Sequence, residues 1–142
     1  MIILGIFGPG PNPSAALLID GKIISWAEEE RFNRIKTAPN SLPIKATEWC
    51  LNYAGITLDN VDRIAYGWDS LNYITNTKDF FLSQRKINSD NFLYNNLQEE
   101  LLINLYHPER LKNQLQLGIG SFSDSRKLPE IEFIKHHECH AA

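Results

Sequence analysis

The sequence predicts an α/β fold built on a mixed β-sheet, and three patterns carry that prediction. An unbroken apolar run opens the chain, Asp20-Gly21 separates two further apolar runs, and later strand patterns alternate with helical ones. A run without polar alternation marks a strand buried on both faces. Asp-Gly is the strongest short hairpin signal, because a two-residue type I′ turn needs positive φ at both central positions. A hairpin followed by βα units puts antiparallel and parallel neighbours into one sheet with helices on its faces.

Residues 2–7 are the first strand. Gly8-Pro9-Gly10-Pro11-Asn12-Pro13 cannot extend it, since proline lacks the ladder N–H, and a stiff, tight loop is expected there. Residues 15–19 and 22–27 are the arms of the hairpin. The charged segment 28–36 then runs into a loop at 37–40. A helix is expected to start near Ser41 as N-cap, with Pro43 in its first turn. Ile44, Thr47, Leu51 and Ala54 share one of its faces with Cys50 beside them, and Gly55 falls where a C′ glycine belongs. Residues 62–67 read as a strand.

The stretch 68–128 says least. Leu93, Leu97, Leu101 and Leu105 recur every four residues and predict a helix over about 89–106. Pro108 interrupts it, 109–117 begins a second turn or helix, and 118–127 reads as loop. Residues 131–134 form a last short strand that leads at once into His136-His137-Glu138-Cys139-His140. The opening hairpin argues against a doubly wound dinucleotide fold. Gly5-Ile6-Phe7-Gly8-Pro9-Gly10 lacks that fold's glycine spacing and leads into a strand, not a helix.

With 142 residues the chain has room for one core. A net charge of -3 and the lack of a basic stripe argue against a nucleic-acid partner. No apolar run reaches the roughly 18 residues of a membrane span, and the apolar start has no basic leader, so no membrane association is expected. Cys50 and Cys139 stand in unrelated contexts, which makes a reduced, cytoplasmic protein the expectation.

Three of the four histidines fall within five residues. On a helix His136 and His140 lie on one face a turn apart, a spacing that lets two imidazoles share a metal ion. His137 is an alternative ligand or a proton carrier. Surface polarity at a strand end is the plain alternative, but ligands of such sheets sit beyond the strand carboxyl ends. The order of residues is not that of the zinc proteases, and two ligands do not complete a site. The 8–13 loop could offer backbone amides and the Ser14 hydroxyl to an anion, or be only a rigid turn. Glu28, Glu29 and Glu30 could line a cleft with Arg31 and Arg34 as partners, or be a solvated charged run.

Leu4-Gly5-Ile6, Pro13-Ser14-Ala15-Ala16-Leu17-Leu18-Ile19-Asp20-Gly21-Lys22-Ile23, Ala27-Glu28-Glu29-Glu30-Arg31-Phe32 with Arg34 and Lys36, and His136-His137 with His140-Ala141-Ala142 stand in order along the chain. Together they resemble the nodulation-protein and cephamycin-type O-carbamoyltransferase family, over about residues 1–67 and 130–142. The resemblance implies a mixed sheet of the ribonuclease H-like (actin-like ATPase) type, of which residues 1–142 would be an N-terminal subdomain of an incomplete domain. In that family carbamoyl phosphate and ATP with magnesium give carbamoyl-adenylate, and the carbamoyl group passes to a hydroxyl of a sugar or natural-product acceptor.

By the same resemblance the His-x-x-x-His pair binds iron(II), which carries over to His136 and His140. Asn12, Ser14 and Arg31 fall in motifs expected to contact substrate, and no catalytic residue is assigned. The family commonly has His-Asp where this chain has Pro11-Asn12, which removes a titratable pair from the loop. The chain by itself is expected to be inactive. The competing expectations are another enzyme of the same fold, such as a threonylcarbamoyl transferase relative or a sugar kinase, and a non-catalytic interaction module.

Overall fold

The computed structural model describes residues 1–87, 100–101 and 103–141. Most of the helix expected over 89–106 lies outside them. Strands β1 (Ile2–Phe7), β2 (Ser14–Ile19), β3 (Lys22–Glu28), β4 (Arg63–Tyr66) and β5 (Glu130–Phe133) form one sheet in the order β3-β2-β1-β4-β5. β2 runs antiparallel to β1 and β3, while β4 is parallel to β1 and β5 parallel to β4. The expected mixed sheet is therefore present.

The β2–β3 turn has Asp20 at φ 49° and Gly21 at φ 79°, the two positive values a type I′ turn requires. The Met1 ammonium pairs with Asp20 at 2.5 Å, and the Asp62 carboxylate accepts the Ile2 N–H at 2.7 Å, which anchors the start of β1. A register shift at Leu17/Leu18 bends the β2–β3 ladder.

Alternation divides the sheet into two faces. Leu4, Ile6, Ala15, Leu17, Ile64 and Tyr66 point into the core, where they meet two helices. One is α2 (Ile44–Ala54), which buries Ala46, Thr47, Cys50 and Leu51. The other, α4 (Pro108–Ile119), buries Leu111, Leu115 and Ile119. Pro108 stands in the first turn of α4, where its missing N–H costs nothing. α4 runs to Ile119 and a 3-10 turn follows at Gly120–Phe122, so the expected loop begins later than Gly118.

Two further helices were poorly marked in sequence. α1 (Glu30–Asn33) is a single turn, and α3 (Ser70–Ile87) follows β4. α3 buries Ile74 and Phe81 but leaves Leu71, Phe80 and Leu82 exposed, so its apolar residues do not trace a clean stripe.

The start of α2 also departs from expectation. Ser41 does not cap it; its hydroxyl donates to the Ala38 carbonyl at 2.6 Å, and Pro43 occupies the cap position. The cap comes from a distant residue. Glu29 is buried, and its carboxylate accepts the N–H groups of Ala46 at 2.9 Å and Lys45 at 3.3 Å. No described helix is long and apolar enough to cross a membrane.

Burial separates the two cysteines. Cys50 is fully buried and burial pushes its thiol up, whereas Cys139 is exposed on the last helix. Since the thiolate is the reactive form, Cys139 should react with Ellman's reagent within minutes and Cys50 only after denaturation. Two equivalents titrated in the native state would contradict this packing.

Candidate functional site

β1, β4 and β5 end together, and the segments leaving their carboxyl ends meet at one place. β5 passes directly into α5 (His136–Ala141), which begins beside the Gly67 backbone at the end of β4. His136 Nδ1 lies 3.2 Å from the Gly67 carbonyl oxygen. A carbonyl can only accept, so Nδ1 carries the proton of this contact. Metal-bound histidines are oriented in the same manner.

Aromatic rings hold the imidazole from two sides. Phe7, at the end of β1, stacks on it with centroids 5.7 Å apart, and Trp68 lies at 4.7 Å. Trp68 is itself packed by Tyr106 at 5.5 Å and Tyr73 at 5.2 Å. Behind them Tyr66 is buried, and its hydroxyl donates to the Gly8 carbonyl. Burial, and then the neighbouring Tyr106, push the Tyr66 phenol up; burial and then Tyr73 do the same to Tyr106. Both remain neutral donors at ordinary pH.

Trp68 Nε1 and Ser70 Oγ are buried without a hydrogen-bond partner among the described residues. Such groups are rare in folded proteins, costing about 1–3 kcal/mol each, and both lie just past the carboxyl end of β4. Sequence reasoning had no reason to single out Trp68, Tyr73 or Tyr106. The available signal was Gly67-Trp68-Asp69-Ser70, a glycine and a lone tryptophan immediately after a strand.

The sequence-derived candidates separate into groups. Ser14 joins the histidine helix: with Phe7, Gly67, Ile134 and Cys139 it lines a cleft of about 500 Å³ over the sheet face opposite the core. Asn12 stands on the loop at φ 55°, and its N–H is already given to the Thr37 carbonyl at 2.9 Å. The loop is further pinned by the Asn40 N–H on the Gly10 carbonyl and the Glu29 N–H on the Pro13 carbonyl. Arg31 is elsewhere. It is exposed, pairs with Glu28 at 3.5 Å and Glu30 at 3.8 Å, and lines a second cleft with Trp26, Phe32 and Trp49.

Of the three glutamates, Glu28 lines that second cleft. Glu29 caps α2, and Glu30 accepts the Thr37 N–H at 2.7 Å. His137 is exposed, with its ring 6.1 Å from that of His136. The His140 side chain lies outside the described residues, and among those described no three His, Cys, Asp or Glu side chains converge as a metal site.

Comparison with known proteins decides the lineage. Residues 3–142 match the carbamoyltransferase N-terminus family. The chain belongs to that family. It is 34% identical over 128 residues to the nodulation protein NolNO of Sinorhizobium fredii, covering 90% of this chain and 16% of that protein. It is also 32% identical over 145 residues to the uncharacterized protein sll1178 of Synechocystis, covering 99% of this chain and 22% of that one. A 55-residue stretch is 49% identical to an uncharacterized 19.2 kDa protein of Rhizobium etli, covering 39% of this chain and 32% of that protein. This carbamoyltransferase-family chain thus spans a fifth or less of NolNO's length, and little more of sll1178's.

Proposed function

We propose that the chain supplies the N-terminal part of an O-carbamoyltransferase acting in the cytoplasm, with His136 and His140 as two ligands of an iron(II) ion. The observation that carries the reading is the hydrogen-bonded, ring-packed His136 at the start of a helix that repeats histidine four residues on. The mixed sheet in the order β3-β2-β1-β4-β5, with β2 alone reversed, supports reading the domain as ribonuclease H-like, of the actin-like ATPase type. Carbamoyl phosphate and ATP with magnesium would be handled by sequence outside this chain, and the acceptor would be a hydroxyl of a sugar or natural product.

The donor set fits iron in part. An imidazole held through its Nδ1 is a donor type that suits a divalent ion, and ligands besides the two histidines would have to join it. When bound, the ion would polarise a carbonyl or phosphoryl oxygen and stabilise charge developing on it. The chain's own residues do the positioning. Phe7 and Trp68 pack the ring of His136, the Gly67 carbonyl meets its Nδ1, and Ser14 brings a hydroxyl to the adjoining cleft. Asn12 cannot serve as acid or base, since an amide does not titrate.

Cobalt(II), as a spectroscopic substitute for iron, should bind the isolated chain weakly, and His136→Ala with His140→Ala should abolish the binding. The chain alone should transfer no carbamoyl group. Unchanged metal uptake by the double variant would defeat the ligand assignment. ATP turnover with a sugar and no carbamoyl transfer, by the chain joined to the rest of a relative, would favour the kinase reading.

A further inference from the structure

The last helix carries a donor that the histidine motif does not include. Positions i, i+3 and i+4 of a helix share one face, and on α5 they are His136, Cys139 and His140. The residues between them are turned elsewhere. Glu138 pairs with Lys135 at 3.5 Å, and His137 is exposed with its ring 6.1 Å from that of His136. His136 and Cys139, by contrast, meet the same residue at the end of β4. His136 Nδ1 lies 3.2 Å from the Gly67 carbonyl oxygen, and Cys139 Sγ lies 3.7 Å from the point where a Gly67 Cβ would stand. The Cys139 thiol is exposed and donates to the Lys135 carbonyl at 3.5 Å, a weak bond that is readily given up.

We propose that Cys139 is a third ligand, through Sγ, of the divalent ion assigned to His136 and His140, and that its thiolate tilts the site from iron(II) toward zinc. The inference rests on that assignment of the two histidines. Coordination breaks the Sγ–H bond, releases its proton to solvent and forms the Sγ–metal bond. Two imidazoles and one thiolate leave the fourth position of a tetrahedral site to water or another ligand. Thiolate is the softest of these donors, and affinity at such a site rises from iron(II) through cobalt(II) toward the end of the first-row series. All three donors stand within little more than one turn of helix, so the backbone of α5 sets their spacing and no distant segment has to close on the ion. Serine at 139 would keep the size of the side chain but replace the soft donor with a hard, weak one.

The test titrates the reduced 142-residue chain, without oxygen, with cobalt(II), zinc(II) and iron(II). Cobalt should give a thiolate-to-metal charge-transfer band in the near ultraviolet besides its visible bands. Zinc should displace the cobalt and protect one thiol from alkylation, which peptide mapping should locate at Cys139. Cys139→Ser should lose the charge-transfer band and weaken zinc by about 100-fold, while iron(II) falls by about 10-fold or less. Because Cys139 is exposed, the metal-free variant should melt like the wild type, which separates lost ligation from lost folding. Cobalt held through His136 and His140 without a charge-transfer band would leave the histidine assignment standing and overturn the role of Cys139. Equal zinc affinity in Cys139→Ser would do the same. A wild-type chain that binds neither cobalt nor zinc would overturn both.

Discussion

Gly8→Ala is expected to lower the stability of the chain by about 3–5 kcal/mol, enough to reduce Tm by roughly 10 °C. Gly8 has φ 139°, a backbone conformation that side-chain-bearing residues rarely adopt. An added Cβ would lie 2.9 Å from the Ser41 carbonyl oxygen, 3.1 Å from the Pro13 Cβ and 3.3 Å from the Pro43 Cδ. These are backbone and ring atoms, which cannot rotate away. Relief would have to come from moving the loop, and the Gly8 carbonyl is held by the buried Tyr66 hydroxyl.

The matched control is Gly10→Ala, two residues on. Its Cβ would make ordinary contacts with the Phe7 ring, the nearest at 3.4 Å, and should cost under about 1 kcal/mol. Urea unfolding of both variants against the wild type gives the comparison. Equal, small losses would mean that the loop adapts and does not act as a rigid support. Because Phe7 ends the strand before Gly8 and stacks on His136, Gly8→Ala should also shift the His136 ring signals in NMR before global unfolding sets in.

How much was legible in the sequence depends on the range of the forces involved. The β2–β3 hairpin and the C-terminus of α2 are fixed by nearest neighbours, Asp20-Gly21 and Gly55, and both stand where local rules put them. β1 was legible because burial leaves an apolar record, and β4 and β5 because short apolar stretches stand between loop signals. The beginning of α2 was not, since its cap arrives from a strand end sixteen residues earlier and no local pattern records it. α3 was missed for a related reason: with Ile74 and Phe81 a full two turns apart, its buried contacts leave too little periodicity to read.

The site divides along the same line. The histidine spacing was visible as a motif. The orientation of His136 depends on Gly67, Phe7 and Trp68, which come together only when three strands end side by side. Arg31 was placed among the substrate contacts by the family resemblance, and in the fold it lines a second cleft, which shares Trp26 with the one that Ser14 lines.

Glu29→Ala should be the most damaging change in the glutamate run, at about 2–4 kcal/mol, because it leaves the buried Ala46 N–H and the part-buried Lys45 N–H without an acceptor and removes a negative charge from the positive end of α2. Glu28→Ala breaks only a partly exposed pair with Arg31 and should cost about 0–1 kcal/mol. Glu30→Ala removes the acceptor for the Thr37 N–H and should fall between them. Glu29→Gln keeps one carbonyl acceptor and should recover about half of the loss, which separates the hydrogen bond from the charge.

The consequence reaches the candidate site by a short physical chain. Glu29 fixes the start of α2, the segment before α2 holds the loop through Thr37 with Asn12 and Asn40 with Gly10, and the loop adjoins Phe7. Hydrogen exchange at the Asn12 and Asn40 amides should therefore quicken in Glu29→Ala, although neither residue touches the substituted side chain. If Glu29 were instead a catalytic base, Glu29→Ala would abolish transfer in the assembled enzyme while melting and exchanging like the wild type. That pattern would overturn the assignment of this carboxylate to the framework.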